Sequence, residues 1–600
     1  MTLVVALAWL GLAAGAPPLP AQDADMGITE AETRNPPTPG RLHAVEEAAA
    51  GAGWGSVVLP PRTAALQAFA QQRFIAADAW FHLYSWAALF SMPEKLYVPA
   101  WTASVGRSGL QYPGLGEYSP SDGLLGADVS PAMQTWLVEN AAFSEEFFSN
   151  LNELDYVPRV LATLEGLHRR NPDKFARYSS LCLAIALVYD VPPPPTWPHY
   201  QVSQESLPRK LPNPAEPFEW LTREDALGHT FHHLTRLRAG ELKFVVDMAA
   251  PLPELQWSVA TVHCQLDQLE DAYNMIAYRK DRIAANQMTW PGGPYTLQAI
   301  LSQGGICVDQ AYFATEVGKA RGVPTLFFAG SGQDGRHAWF GYLDGTGKWR
   351  LDAGRYAEQR LVTGAALDPQ TWRPISDHEL QFLSERFRAL PSFAESRVQL
   401  EFAIDFLRAG NGMLAAKAAR SAVNFERRNL DAWQILLEAN SRQGLSAAAQ
   451  EGVMKEAALA FMPNYPDLVL YFENLVCNSL RGRGERSLAE YEERGIAERL
   501  KGHRDDLAVM QAGSILARSL ALDPVAQQIA TYNAILAQFG HGAGTTFFDQ
   551  IVLGFAEHLS GLHMKAQARE AVERAREVLE VQPGTQISGE FDKLLERLHD

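Results

Sequence analysis

Cys307, His337 and Asp352 carry the most chemistry in this sequence. A thiol attacks an acyl carbon as its thiolate. It needs surroundings that lower its pKa, a base, and a group that orients the base. Gly304 and Gly305 precede Cys307 and let the backbone turn sharply, and a helical pattern follows at once. The sulfur is therefore expected at a helix N-terminus, where N–H groups and the macrodipole favour negative charge and could cradle an oxyanion. His337 and Asp352 fill the other two roles if the ribbon that carries them has one particular register. With Asp344–Gly347 as the turn, Leu343 faces Lys348 and His337 faces Gly354. Asp352 then shares the face of His337 as a diagonal neighbour, roughly 7–8 Å away. That reach suits a carboxylate holding an imidazole in one tautomer. A slip of one residue would separate the two faces.

Four elements must position these groups. GGICVDQAYFATEVGKARG reads as a glycine-fronted helix that ends at Gly322. VPTLFFAG, RHAWFGYL and KWRLDAG read as three strands, with DGTG as the turn between the last two. The expected fold class is α+β, a helix packed on an antiparallel sheet between mostly α-helical N- and C-terminal regions.

These motifs, in this order, resemble the core of the transglutaminase-like superfamily, which shares a papain-like Cys-His-Asp arrangement. The resemblance rests on Gly305, Cys307 and Asp309, then Gly322, Val323 and Pro324, then His337, Ala338 and Trp339, then Asp352, and covers about 60 of the 600 residues. It implies Cys307 as nucleophile, His337 as general base and acid, and Asp352 as the orienting carboxylate. It implies a thiol-dependent acyl transfer on peptide or amide carbonyls, of protease, amidase or transglutaminase type, with no cofactor and no metal. The family's upstream oxyanion side chain is pinned by no motif. Gln303 is the first candidate by proximity, ahead of Gln298 and Trp290. The chain departs from the family where Asp352 is followed by Ala353 rather than by Pro or Thr. Asp309 reads as a first-turn acid of the helix rather than a reacting group.

The whole chain is expected to divide into five segments. Residues 1–21 read as a secretory signal peptide: an apolar stretch at 3–14, too short to span a bilayer, is followed by small residues. Export to the periplasm or outside the cell follows from that reading. Residues 22–40, rich in Pro and acids, read as a flexible leader. Residues 41–285 are mainly helical, with one short strand at LKFVVDMAAP, one helix from Pro251 to about Ile283, and a proline-dense excursion at VPPPPTWPHYQVSQ. Residues 286–380 form the core. Residues 381–600 are helical and tetratricopeptide-like, with Ala415, Ala419 and Ala422 letting paired helices approach closely and Trp433 opening the next unit. Such stacks offer faces to protein partners.

Bulk properties narrow the alternatives. A net charge of −17 and no basic run argue against nucleic acid. No stretch of the mature chain is long and apolar enough to cross a membrane. Four cysteines in 600 residues are too few for a disulfide scaffold, and Cys182 and Cys264 read as small buried residues on helices. His229, His232 and His233 lack a partner cluster with metal-ligand spacing. A serine or zinc hydrolase would need a nucleophile elbow or a metal cluster, and the sequence has neither. The remaining alternative is a catalytically silent scaffold that binds proteins through the helical repeats.

Overall fold

The computed structural model describes residues 26–110, 112, 118–332, 335–355, 363–541 and 544–599. The expected signal peptide lies outside them. The described part of the expected leader is docked rather than loose. Thr33 is fully buried, and Arg41 bonds both Glu32 and the Met26 carbonyl.

The chain is mostly helical around one small sheet. Strands β1 (Thr325–Ser331), β2 (Arg336–Leu343), β3 (Trp349–Ala353), β4 (Thr363–Leu367) and β5 (Pro374–Ser376) pair antiparallel in the order β3-β2-β1-β4-β5. One face packs on the helix Cys307–Ala320. Thr325 Oγ1 donates to the Thr315 carbonyl, and a Cβ on Gly318 would stand 2.4 Å from Thr325 Cγ2, so the glycine permits this close approach. The other face buries Leu326, Phe328, Trp339, Ala366 and Ile375 with Leu380 and Phe244. Three strands and the helix thus fall where the apolar periodicity puts them.

The β2–β3 register differs from the expected one. Leu343 faces Trp349 and Tyr342 faces Arg350, because the turn closes with Gly347 in the left-handed region (φ +74) and takes in Lys348. A bulge then shifts the pairing again, so that Phe340 faces Ala353. Asp352 lies in that bulge, across from Gly341.

The N-terminal helices do not form a separate unit. One continuous core runs from Leu42 through the helix Ser179–Val188 to Ala338 and Phe340 of the sheet and on to Phe402. LKFVVDMAAP is helical, not a strand. The helix Ala239–Val246 is started by Glu241, whose carboxylate accepts the Arg238 N–H, and it packs on Ser179–Val188. Tertiary burial outweighs the strand preference of its valine pair. The expected long helix after Pro251 is broken into Leu252–Thr261, Asp271–Asn274 and Lys280–Ala284. Cys264 consequently sits half-buried in a connection, while Cys182 is buried on its helix, and both are free thiols.

After Pro391 the chain is an array of helices, beginning with Pro391–Arg408, Gly412–Phe425 and Leu430–Arg442. Ala415, Ala419, Ala422 and Trp433 are buried where these helices meet. The array returns to the sheet. Thr545 N–H donates to the Gly332 carbonyl, Gln586 Oε1 accepts the Arg336 N–H, and Asp549 holds the Arg336 guanidinium at 2.6 Å. Among the described residues no helix is long and apolar enough to cross a membrane.

Candidate active site

Cys307 is the first residue of its helix, and the turn before it is fixed from three sides. Gly304 (φ +74) lies so close to the Ala277 carbonyl that a Cβ would stand 2.4 Å from it. A Cβ on Gly305 would meet Asp309 at 2.3 Å. Gly305 N–H donates to Ala277, and its carbonyl accepts from Arg279. Asp309 caps the helix by accepting the Ile306 N–H at 2.8 Å, in keeping with a first-turn acid. Its carboxylate also pairs with the buried Arg282 at 2.7 Å and accepts from Tyr295 Oη at 2.9 Å.

The thiol is half-buried at the rim of a cavity of about 890 Å³. Burial pushes its pKa up. The N–H groups of Ala338, Val308 and Cys307 itself pull the other way and do not outweigh desolvation. The helix terminus therefore supplies the expected donors, but not the lowered pKa expected from them. The helix packs on β2, whose residues His337 and Ala338 line the same cavity as Cys307.

His337, the neighbour of Ala338, is buried and lines the same cavity. Its ring runs parallel to the Trp339 indole, 6.0 Å between centroids, and Nε2 bonds the Gly354 carbonyl at 2.9 Å. A carbonyl only accepts, so Nε2 carries the proton and Nδ1 is the basic nitrogen. Desolvation pushes the His337 pKa down, with the Arg355 charge adding to it. Thiol and imidazole are thus both neutral near neutral pH.

Asp352 is not the group that orients this ring. It is exposed and sits on β3 across from Gly341, four residues along β2 from His337, while the bond at the ring goes to the Gly354 carbonyl. Its charge is felt by Tyr342, further from the thiol. The extra residue at the turn and the bulge moved it away. Gly354, expected opposite His337, supplies a backbone acceptor in its place. Gly354 has φ +88, and a Cβ there would stand 2.7 Å from the Tyr273 ring. Only glycine holds this carbonyl where it is.

None of the expected oxyanion side chains lines the cavity. Gln303 and Gln298 are exposed, because their helix ends at Gly304 and directs Gln303 outward. Trp290 is buried against Tyr295, its indole N–H without a hydrogen-bond partner. At the helix start itself, the backbone N–H groups of Cys307 and Val308 are those that act on the thiol, with Ala338 acting from β2. The histidines at 229–233 do not converge: His229 bonds Glu224 and His232 bonds the Leu343 carbonyl.

The structure adds His199, which the sequence did not single out. It is buried, lines the cavity and bonds Tyr295 Oη through Nε2 at 3.0 Å. Tyr295 spends its proton on Asp309, so His199 Nε2 must be the donor and Nδ1 an acceptor. Nδ1 has no hydrogen-bond partner. Burial pushes the His199 pKa down to about 3, which keeps the ring neutral. A lone histidine in a proline-dense stretch has no spacing by which to be found. Gln586, Glu590 and Lys593 of the C-terminal array also line the cavity. The chain matches no known protein family, and no curated protein matches it.

Proposed function

We propose that this protein is a thiol-dependent acyl-transfer enzyme of the transglutaminase-like kind, acting on peptide or amide carbonyls. The observation that carries this reading is that Cys307, at a helix N-terminus, lines one cavity with His337, whose Nε2 is bonded to the Gly354 carbonyl. Because both groups start neutral, His337 acts as a general base during attack rather than as half of a preformed ion pair. Sγ bonds the carbonyl carbon as its proton passes to Nδ1. The carbonyl electrons move onto oxygen, beside the N–H groups of Cys307 and Val308. The C–N bond then breaks, and the departing nitrogen takes the proton from His337. Water or a second amine cleaves the thioester, giving hydrolysis or amine transfer.

His199 Nδ1 suits an N–H donor of the substrate amide, since a buried acceptor left without a partner costs free energy that a bound donor restores. Gln586, Glu590 and Lys593 of the C-terminal array line the cavity, which fits a protein or peptide substrate that also touches the array. Export rests on the apolar N-terminal stretch.

The raised thiol pKa and the displaced Asp352 favour the competing reading, a catalytically silent scaffold. Turnover of peptide amides separates the two. Cys307→Ala abolishes it in a folded chain under the enzyme reading, and unchanged turnover in that variant would refute the assignment.

A further inference from the structure

A second cluster of reactive side chains lies far along the chain from the thiol, where the N-terminal helices meet the C-terminal array. Asp78 and His82 stand four residues apart on the helix Phe74–Phe90, hence on one face of it. Glu401 faces them from the helix Pro391–Arg408. One ligand atom from each of the three lies within 4.8 Å of the others, and His82 Nε2 is 3.7 Å from Asp78 Oδ1. His82 is only 4% exposed, and its Nε2 has no hydrogen-bond partner. Asp78 Oδ1 and Glu401 Oε2 also lack one. His82 Nε2, Asp78 Oδ1 and Glu401 Oε2 are thus buried without a hydrogen bond, an arrangement that buried polar groups ordinarily avoid.

Charge points the same way. Arg397 is the cation beside the cluster, 3.0 Å from Glu401, 3.7 Å from Asp78 and 3.3 Å from Glu145. One guanidinium against three carboxylates leaves a deficit that a divalent ion would neutralise. His82, Glu145, Arg397 and Glu401 line a cavity of about 1040 Å³, which gives an ion a path in.

We propose that Asp78, His82 and Glu401 form a binding site for a divalent transition-metal ion such as Zn²⁺. One imidazole and two carboxylates are a donor set such an ion accepts, with water completing its shell. The ion would clip the helix Pro391–Arg408 of the array to the N-terminal core, a structural role independent of the chemistry proposed for Cys307.

The test uses the full chain, stripped with chelator and titrated with Zn²⁺ and with Co²⁺ as a coloured probe, in a Cys307→Ala background so that the thiol cannot contribute. The expected result is one tightly bound Zn²⁺ per chain, a visible Co²⁺ absorption band without thiolate charge transfer, and a higher Tm with metal than with chelator. His82→Phe and Glu401→Gln should each weaken Zn²⁺ binding at least tenfold and remove the band, and if one fails to fold the other decides. A proton shared between Asp78 and Glu401 is the rival way to relieve the cluster. It predicts a Tm that neither metal nor chelator moves, and uptake equal in parent and variants. Either outcome overturns the site.

Discussion

The start of the Cys307 helix and the ribbon beside it bring the two halves of one candidate site together, yet they are built differently. The helix start is held by two glycines that tolerate no Cβ, a buried Asp309–Arg282 pair, a side-chain cap and a two-way backbone bridge to Ala277–Arg279. The ribbon positions its histidine through the Gly354 carbonyl and the parallel Trp339 ring, and that carbonyl depends on a positive φ. The thiol's end is thus set by glycine packing and a buried ion pair, and the histidine's end by a backbone acceptor and a stacked ring. A neutral carbonyl fixes a tautomer but stabilises the imidazolium less than a carboxylate would, so His337 is a weaker base than one backed by a carboxylate.

Removing Asp309 should have the largest effect, on the rigid half. Asp309→Ala leaves Arg282 buried and unpaired and uncaps the helix, and should cost about 3–5 kcal/mol in denaturant unfolding. A loss below about 1 kcal/mol would mean that the helix start is not held as described. Gly354→Ala attacks the other half. Strain at φ +88 and the clash with Tyr273 should cost about 1–3 kcal/mol and lower turnover at least tenfold by moving the carbonyl off His337. Wild-type kcat in that variant would show that the bond to Gly354 does not matter.

A gentler probe lies further along the same helix. Burial pushes Glu316 up to about 7, although the Ala249 and Ala250 N–H groups bond it. The folded chain thus keeps a proton that the unfolded chain releases near the ordinary Glu pKa of about 4.3. The resulting stability is complete below that value and is lost as pH rises through about 7. Glu316→Gln should flatten the decline in Tm between about pH 5 and pH 8, and equal slopes would remove Glu316 from the pH dependence. The smallest effect belongs to Asp352→Asn, which should leave turnover within about twofold, since the carboxylate lies far from His337. A large loss there would restore the carboxylate to the mechanism.

This contrast also explains what the sequence could and could not tell. The helix after Cys307 and the three strands were legible because apolar period and glycine punctuation are local. The short apolar stretch at Leu242–Val246 was not, because helix and strand patterns look alike over so few residues and packing on Ser179–Val188 decided between them. The orienting group was illegible for a finer reason. Gly347 adding a residue at the turn and a bulge near Gly341 are two small register changes that move Asp352 away without altering the pattern of side chains. Backbone acceptors such as Gly354 leave no mark in a sequence, and neither does the contact by which Gln586 of the array reaches Arg336.

The central claim is that Cys307 is acylated with His337 as its base. Mass spectrometry of the intact chain after brief exposure to an activated acyl donor tests it directly. The account predicts a single acyl group on Cys307, formed at least a hundredfold more slowly in His337→Ala and with Cys182, Cys264 and Cys477 untouched. Acylation of Cys264 at an equal rate, or of Cys307 at the same rate without His337, would contradict it.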